Sequence, residues 1–371
     1  MDMPYKILDS DAILSPALLI FEEVLENNLR KMIEIAGDPK RLRPHCKTHK
    51  MREVIELELR LGIVKHKAAT IAEAEMLVQA GVQDIFLAYN LVGPNIARAV
   101  KFLQRFPDVR LAVTVDHPQP LAALDQAMQS AGKRIDVLLD IDSGQHRTGI
   151  ALGPRAEELY RQISNAPGLH AVGLHLYDGQ NHQKDLAERT AAVMAIWQQA
   201  SEFRDRLVAG GYSVPKIVCG GTGSFPVFAK VDDPAIELSP GTCVFHDAGY
   251  GEIFPDLDFK PAQWILTRVI SRPADNLMTL DLGYKACAAD RPAGRRLRFP
   301  ELPDAEEVLQ NEEHLVLRTP LAANYAPGDV LLAIARHACP TSAMYQQATV
   351  IRDGRVKDCW NVVARDRCLT V

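Results

Sequence analysis

The chain is predicted to adopt an α/β fold: a (β/α)8 TIM-type barrel over residues 16–252, then a β domain over 253–371 that also takes residues 1–15. Three observations lead there. Strand-like and helix-like stretches alternate through roughly the first 250 residues. The rhythm stops after Gly251, among Pro255 and Pro261, and short β-rich segments separated by turn pairs replace it.

In order, Leu18 to Ile35 carries apolar residues at helical spacing, Arg41 to Lys47 reads as a strand, and Met51 to Leu61 reads as a helix. A short extended run follows at Lys67 to Thr70, then a helix over Ile71 to Ala80 that stops at Gly81. Gln83 to Tyr89 is β-rich and Pro94 to Phe106 helical. Further strands are expected at Val109 to Val115, Ile135 to Ile141, His170 to Tyr177 and Lys216 to Cys219, with a long helix over Asp185 to Ala209. Val244 to His246 is the expected closing strand. The second domain should contain strands at Trp264 to Ser271, Met278 to Leu282, His314 to Leu317, Val330 to Ala335, Thr349 to Arg352 and Val356 to Val363, with turns at Pro327-Gly328 and Asp353-Gly354.

Composition narrows the function classes. The chain has 371 residues, 47% of them hydrophobic, and a net charge of −5. That suffices for more than one core and gives no electrostatic footprint for nucleic acid or a membrane surface. No apolar run approaches the ~20 residues of a membrane span, and the start lacks signal-peptide features. Seven cysteines without close pairing read as reduced thiols, so a cytoplasmic protein is expected.

In a barrel the chemistry collects where strands end. The first such end offers Arg43-Pro44-His45-Cys46-Lys47-Thr48-His49-Lys50, a lysine between two histidines and beside a second ammonium group. Such surroundings favour a neutral, nucleophilic amine, although the same octapeptide also reads as a solvated basic turn. Other ends give Asp140 through Gly149, Tyr177 through His182, Gly220-Gly221-Thr222-Gly223-Ser224 and Ser239-Pro240-Gly241-Thr242-Cys243. Two of these are glycine and hydroxyl rich, able to cradle a phosphate or simply to turn tightly. A nucleophilic lysine with phosphate cradles on one face suits pyridoxal 5'-phosphate, which needs an amine for its aldehyde and an anchor for its phosphate.

These residues resemble the fold-type III pyridoxal-phosphate enzymes, which have an alanine-racemase-like barrel and a C-terminal β domain, and within them the D-threonine aldolase and D-serine dehydratase branch. The most specific matches are the PHCKTHK block and His337-Ala338-Cys339-Pro340-Thr341; Arg147-Thr148-Gly149, Tyr177-Asp178-Gly179, Gly220 to Gly223, Pro240-Gly241-Thr242 and Asp281-Leu282-Gly283 support them. The resemblance implies that Lys47 binds the cofactor covalently and that Arg147 lies near the cofactor's phenolic oxygen; His45 reads as tuning Lys47 or touching the cofactor, or else as packing at the strand end. It further implies that Tyr177 faces the cofactor and that Gly221, Thr222, Gly223, Gly241 and Thr242 hold its phosphate. Cys243 stands where many relatives carry tyrosine. Arg147 could otherwise form a rim salt bridge with Asp140 or Asp142.

His337 and Cys339, two residues apart, should project to one face of a strand and clamp a divalent ion: zinc, manganese or magnesium. A buried cysteine beside a satisfied histidine is the plainer reading, which the resemblance overrides. His182 offers a base for a hydroxyl proton, or else a helix-start residue facing solvent. The function expected is therefore a lyase on a D-3-hydroxy amino acid, first an aldolase of D-threonine aldolase type that releases glycine and an aldehyde. The alternative is a dehydratase giving ammonia and a 2-oxo acid; a racemase or a non-catalytic cofactor carrier ranks lower. The resemblance also implies a homodimer.

Overall fold

The computed structural model describes residues 5–371; the part of the expectation for residues 1–15 that falls on Met1 to Pro4 lies outside them. Helices and strands run β1 (Ala17–Phe21), α1 (Glu22–Ala36), α2 (Arg52–Arg60), β2 (Lys65–Ala68), α3 (Ile71–Gln79), β3 (Asp84–Asn90), α4 (Pro94–Arg105), β4 (Arg110–Val115), α5 (Pro118–Ser130) and β5 (Ile135–Ile141). They continue through α6 (Pro154–Asn165), β6 (Leu169–Leu176), α7 (Leu186–Ala209), β7 (Lys216–Cys219), α8 (Phe225–Phe228), β8 (Ile236–Leu238) and α9 (Ala248–Ile253). The remainder comprises β9 (Gln263–Ala274), β10 (Leu277–Leu280), β11 (Leu297–Arg298), β12 (Glu306–Gln310), β13 (Leu315–Arg318), β14 (Val330–Ala335), α10 (Ala338–Met344), β15 (Gln347–Arg352) and β16 (Arg355–Asn361).

The chain divides into two compact units. One contains residues 33–47, 52–241 and 366–371; the other contains, of the described residues, 5–32, 48–51 and 242–365. In the first, β2 to β8 form a seven-stranded parallel sheet in sequential order, with helices between the strands. The order is that of a curled barrel wall, because each right-handed crossover places the next strand beside the last. Phe86, Ala112, Leu138, Val172 and Val218, one from each of five successive strands, pack as a single apolar cluster. Where β6 meets β7 the backbones approach so closely that a Cβ on Gly173 would stand 1.8 Å from the Lys216 carbonyl oxygen, and the φ of +143° there also demands glycine.

The segment read as the first strand, Arg41 to Lys47, is not one. A 3-10 turn over Pro39–Arg41 leads into two isolated parallel bridges, Leu42 to Leu238 on β8 and His45 to Lys67 on β2, and a second 3-10 turn takes Cys46–Thr48. It therefore links the two edges of the sheet without a ladder. Pro44 explains part of this, since it brings no donor; its carbonyl still accepts from the Lys67 amide at 2.8 Å. Val244 to His246 is likewise not the closing strand, because Thr242–Val244 is a 3-10 turn; the last parallel strand is β8, three residues long and too short to show a period.

In the second unit a nine-stranded sheet runs β12-β13-β10-β9-β1-β15-β16, with β14 on β9 and β11 on β14. The stretch from Leu18 to Ile35, read as one helix, opens with β1, which pairs parallel to β15 and antiparallel to β9. Its residues Leu18 to Phe21 are all buried. A strand buried on both faces shows an unbroken apolar run, which spacing alone cannot tell from a helix. Met278, Leu280, Leu315, Leu317, Leu331 and Ala333 lie in this unit's core.

Candidate active site

In the barrel unit, the ends of the closing segment, β2, β5 and β6 bring four groups together. Lys47 Nζ and Lys67 Nζ each lie 5.9 Å from the ring centroid of Tyr177, and the Arg147 guanidinium carbon lies 4.7 Å from it. Lys47, Arg147 and Tyr177 were expected here. Lys67 was not, because a lysine inside a four-residue strand reads as a solvated one. It is 4% exposed, and its Nζ meets His175 Nε2 at 3.4 Å while His175 Nδ1 meets Asp140 Oδ1 at 2.7 Å. Burial, then the nearby charge of Lys47, brings the Lys67 ammonium down to about 7. Burial, then the charge of Lys67, also lowers His175; burial alone would raise Asp140, but the hydrogen bonds from His175 and Thr148 and the charges of His175 and Lys67 together hold it below its ordinary range. The rim salt bridge does not engage Arg147: Asp140 holds His175, and Asp142 holds the ring of His146 at 2.7 Å.

His45 is buried, and its Nδ1 accepts from the Lys47 amide at 3.3 Å. His45, Cys46 and Glu73 form the one group of three among the described residues whose metal-capable atoms all lie within 4.8 Å of one another. Glu73 is already engaged, accepting from the Ala69 amide at 2.6 Å and facing the Cys46 thiol at 3.8 Å. The contacts brace the turn that carries Lys47, which is how we read this trio.

The glycine turns also gather here. Gly220, with φ +76°, needs glycine because a Cβ would meet Phe225 Cα at 2.9 Å, and a Cβ on Gly221 would reach the Tyr177 ring at 3.5 Å. The Thr222 hydroxyl accepts from the Gly241 amide at 3.3 Å, tying the two turns together. Gly223 is buried in the first of these turns, just before α8. Asp178, one residue past Tyr177, accepts from the Ser224 hydroxyl at 2.8 Å and from Asn181, so it staples the glycine turn to the end of β6. His182 is exposed in the connection from β6 to α7.

The other unit holds the His337 and Cys339 pair. The two residues do not share a strand: His337 caps α10 and Cys339 lies in its first turn, since β14 ends at Ala335. They nevertheless hydrogen-bond to each other. His337 Nδ1 lies 2.6 Å from Asp290, and the Thr48 and Thr242 hydroxyls lie 3.3 and 3.6 Å from Cys339 Sγ. Burial opposes charge on His337, but Cys339 and Asp290 prevail and push it up to about 9. A histidine oriented through Nδ1 by a carboxylate, beside a thiol, suits a zinc-like ion. Asp247 fixes this corner, accepting from the amides of Ala338 and Tyr250 at 2.8 Å each.

Residues 20–247 match the family model for the alanine racemase N-terminal domain, and residues 262–351 match that for a putative serine dehydratase domain. The D-threonine aldolase of Arthrobacter sp is 33% identical over 95% of this chain and 92% of its own. The chain belongs to the fold-type III pyridoxal-phosphate enzymes, in their aldolase and dehydratase branch. The aldolases and dehydratases of this branch are lyases. A 3-hydroxy-D-aspartate aldolase of Paracoccus denitrificans (strain Pd 1222) is 29% identical over 97% of this chain and 94% of its own. The crystal structure of D-threonine aldolase from Filomicrobium marinum superposes with a TM-score of 0.89 at 28% identity, covering 96% of each chain. Among the described residues no helix is long and apolar enough to cross a membrane.

Proposed function

We propose that this protein is a pyridoxal-phosphate- and divalent-metal-dependent aldolase that cleaves a D-3-hydroxy amino acid to glycine and an aldehyde. The observation that carries the reading is the meeting of Lys47, Lys67 and Arg147 on the Tyr177 ring beside the Gly220 to Ser224 turn. Three cations so placed fit an anionic aromatic cofactor bearing a phosphate.

When bound, the cofactor supplies an electron sink for charge developing at the substrate's α-carbon. With the cofactor bound, Lys47 Nζ would be the amine that engages its aldehyde, and as a free amine it would hold or return a proton at Nζ. Arg147 would hold negative charge on the cofactor's phenolic side, and Tyr177 would face the cofactor. Gly221, Thr222 and Gly223 would offer donors for the phosphate, with Gly241 and Thr242 assigned the same role by resemblance; His45 steadies the Lys47 turn. His337 and Cys339 would hold the divalent ion, which would supply Lewis acidity. His182 would serve as the base for the substrate's hydroxyl proton. Seven free thiols and the family resemblance support a cytoplasmic homodimer.

A product assay with D-threonine and D-serine tests the reading. Glycine and acetaldehyde from D-threonine are expected, with turnover lost on chelation and restored by zinc, manganese or magnesium. Full turnover after complete metal removal contradicts the role of the pair. His182→Ala should lower carbon–carbon cleavage by about 10²- to 10⁴-fold if it is the base; a wild-type rate in that variant removes it from the mechanism. One observation favours the dehydratase: a thiol, Cys339, beside His337 in a region that matches the serine dehydratase domain model. Pyruvate and ammonia from D-serine, without glycine from D-threonine, would decide for it.

A further inference from the structure

We propose that Lys67 is a positioning residue of the active site, a buried cation docked through His175 on Asp140 that lowers the proton affinity of the Lys47 nitrogen once that nitrogen carries the cofactor. The inference rests on the cofactor reading above. Its geometry lies within the barrel unit. Lys67 leaves β2 into the interior, where His175 Nε2 receives it at 3.4 Å and Asp140 anchors the far side of that imidazole at 2.7 Å. With Nδ1–H donated to the carboxylate, Nε2 is left as an acceptor, so the pair holds the Lys67 ammonium in one place.

Lys47 and Lys67 lie equally far from the Tyr177 ring centre and so no farther apart than twice that distance. Charged groups facing Lys67 come from every side: Lys47 from the closing segment, Asp140 from β5, Arg147 from the loop after it, His175 from β6 and Cys219 from β7. Cys219 is raised well above its ordinary value by burial, which leaves Asp140 as the anion of the group. Burial and Lys47 leave Lys67 poised to gain or lose its proton near neutrality. An anionic cofactor ring alongside favours the charged form. At such separations two like charges in a protein change each other's proton affinity by about tenfold.

The test is the pH titration of the visible band of the bound cofactor, measured on the holoenzyme without substrate. Lys67→Met, neutral and of similar length, should still bind the cofactor and move the midpoint of that band up by about one pH unit. Lys67→Arg, which keeps the charge, should titrate as wild type. Lys67→Gln gives the same reading should the methionine variant not fold. An unmoved midpoint in a folded, cofactor-bound neutral variant overturns the proposal and leaves the cofactor reading intact. A wild-type protein with no such band, or one whose band survives Lys47→Ala, defeats the cofactor reading itself and with it this inference.

Discussion

Lys47→Ala should purify as a protein that stays colourless when saturated with pyridoxal phosphate, and its kcat/KM on a D-3-hydroxy amino acid should fall by roughly four orders of magnitude or more. The loss is large because one amine performs two tasks, covalent capture of the cofactor and proton transfer at Nζ. Neighbours do not replace it. Lys67 is tied to His175, and Arg147 bears a guanidinium that cannot act as a nucleophile near neutrality. The fold should persist, since Lys47 is only partly buried and its turn is braced by His45, Cys46 and Glu73. Borohydride reduction of the wild-type holoenzyme followed by peptide mapping should place the cofactor on residue 47. A label on another residue, or a yellow Lys47→Ala variant that turns over normally, would refute the assignment.

How far the chain could be read without coordinates follows from the physics of each segment. The parallel strands from β2 to β7 were legible because short apolar runs alternate with amphipathic helices, and glycine or proline marks most of the boundaries. Both barrel ends were misplaced for one reason. The closing segment at 42–45 and the three-residue β8 are held by tertiary bridges, which leave no local period. β1 misled in the opposite way, its buried run Leu18 to Phe21 merging with the helix that follows. Of the expected site residues, those in recognisable blocks, Lys47, Arg147, Tyr177 and Gly221, are brought together by the fold. Lys67 and Glu73 belong to no motif, and Asp178 stood in the Tyr177-Asp178-Gly179 turn without an assigned role; each acts through a partner 27 to 108 positions away. Only the fold brings such pairs together. His337 and Cys339 meet as expected, but through the first turn of α10 and not across a strand.

The largest effect on stability should come from Arg43, four residues before Lys47. It is 1% exposed, its Nε donates to Glu237 at 2.5 Å and its Nη1 to Asp84 at 2.8 Å, and Lys65 joins Glu237 at 2.7 Å. Arg43 thus holds the closing segment to β8 and β3, where no ladder does so. Arg43→Met keeps apolar length but strands two carboxylates, Glu237 buried and Asp84 about a quarter exposed. Breaking a buried pair in this way costs about 3–5 kcal/mol, a large part of a domain's net stability. The acid limb gives an independent check. Burial alone would raise Glu237, but pairing with Arg43 and Lys65 outweighs it and holds the carboxyl at about 2. A folded-state value depressed in this way contributes stability that is complete above the unfolded carboxylate's value near 4 and is lost as pH falls toward 2. From that shift the contribution is about 3 kcal/mol, in keeping with the cost of breaking the pair. Denaturant unfolding of wild type and Arg43→Met should therefore show the widest gap at neutral pH and a narrowing gap between about pH 4 and pH 2. A gap independent of pH would mean that Arg43 acts by filling space and not by its charge.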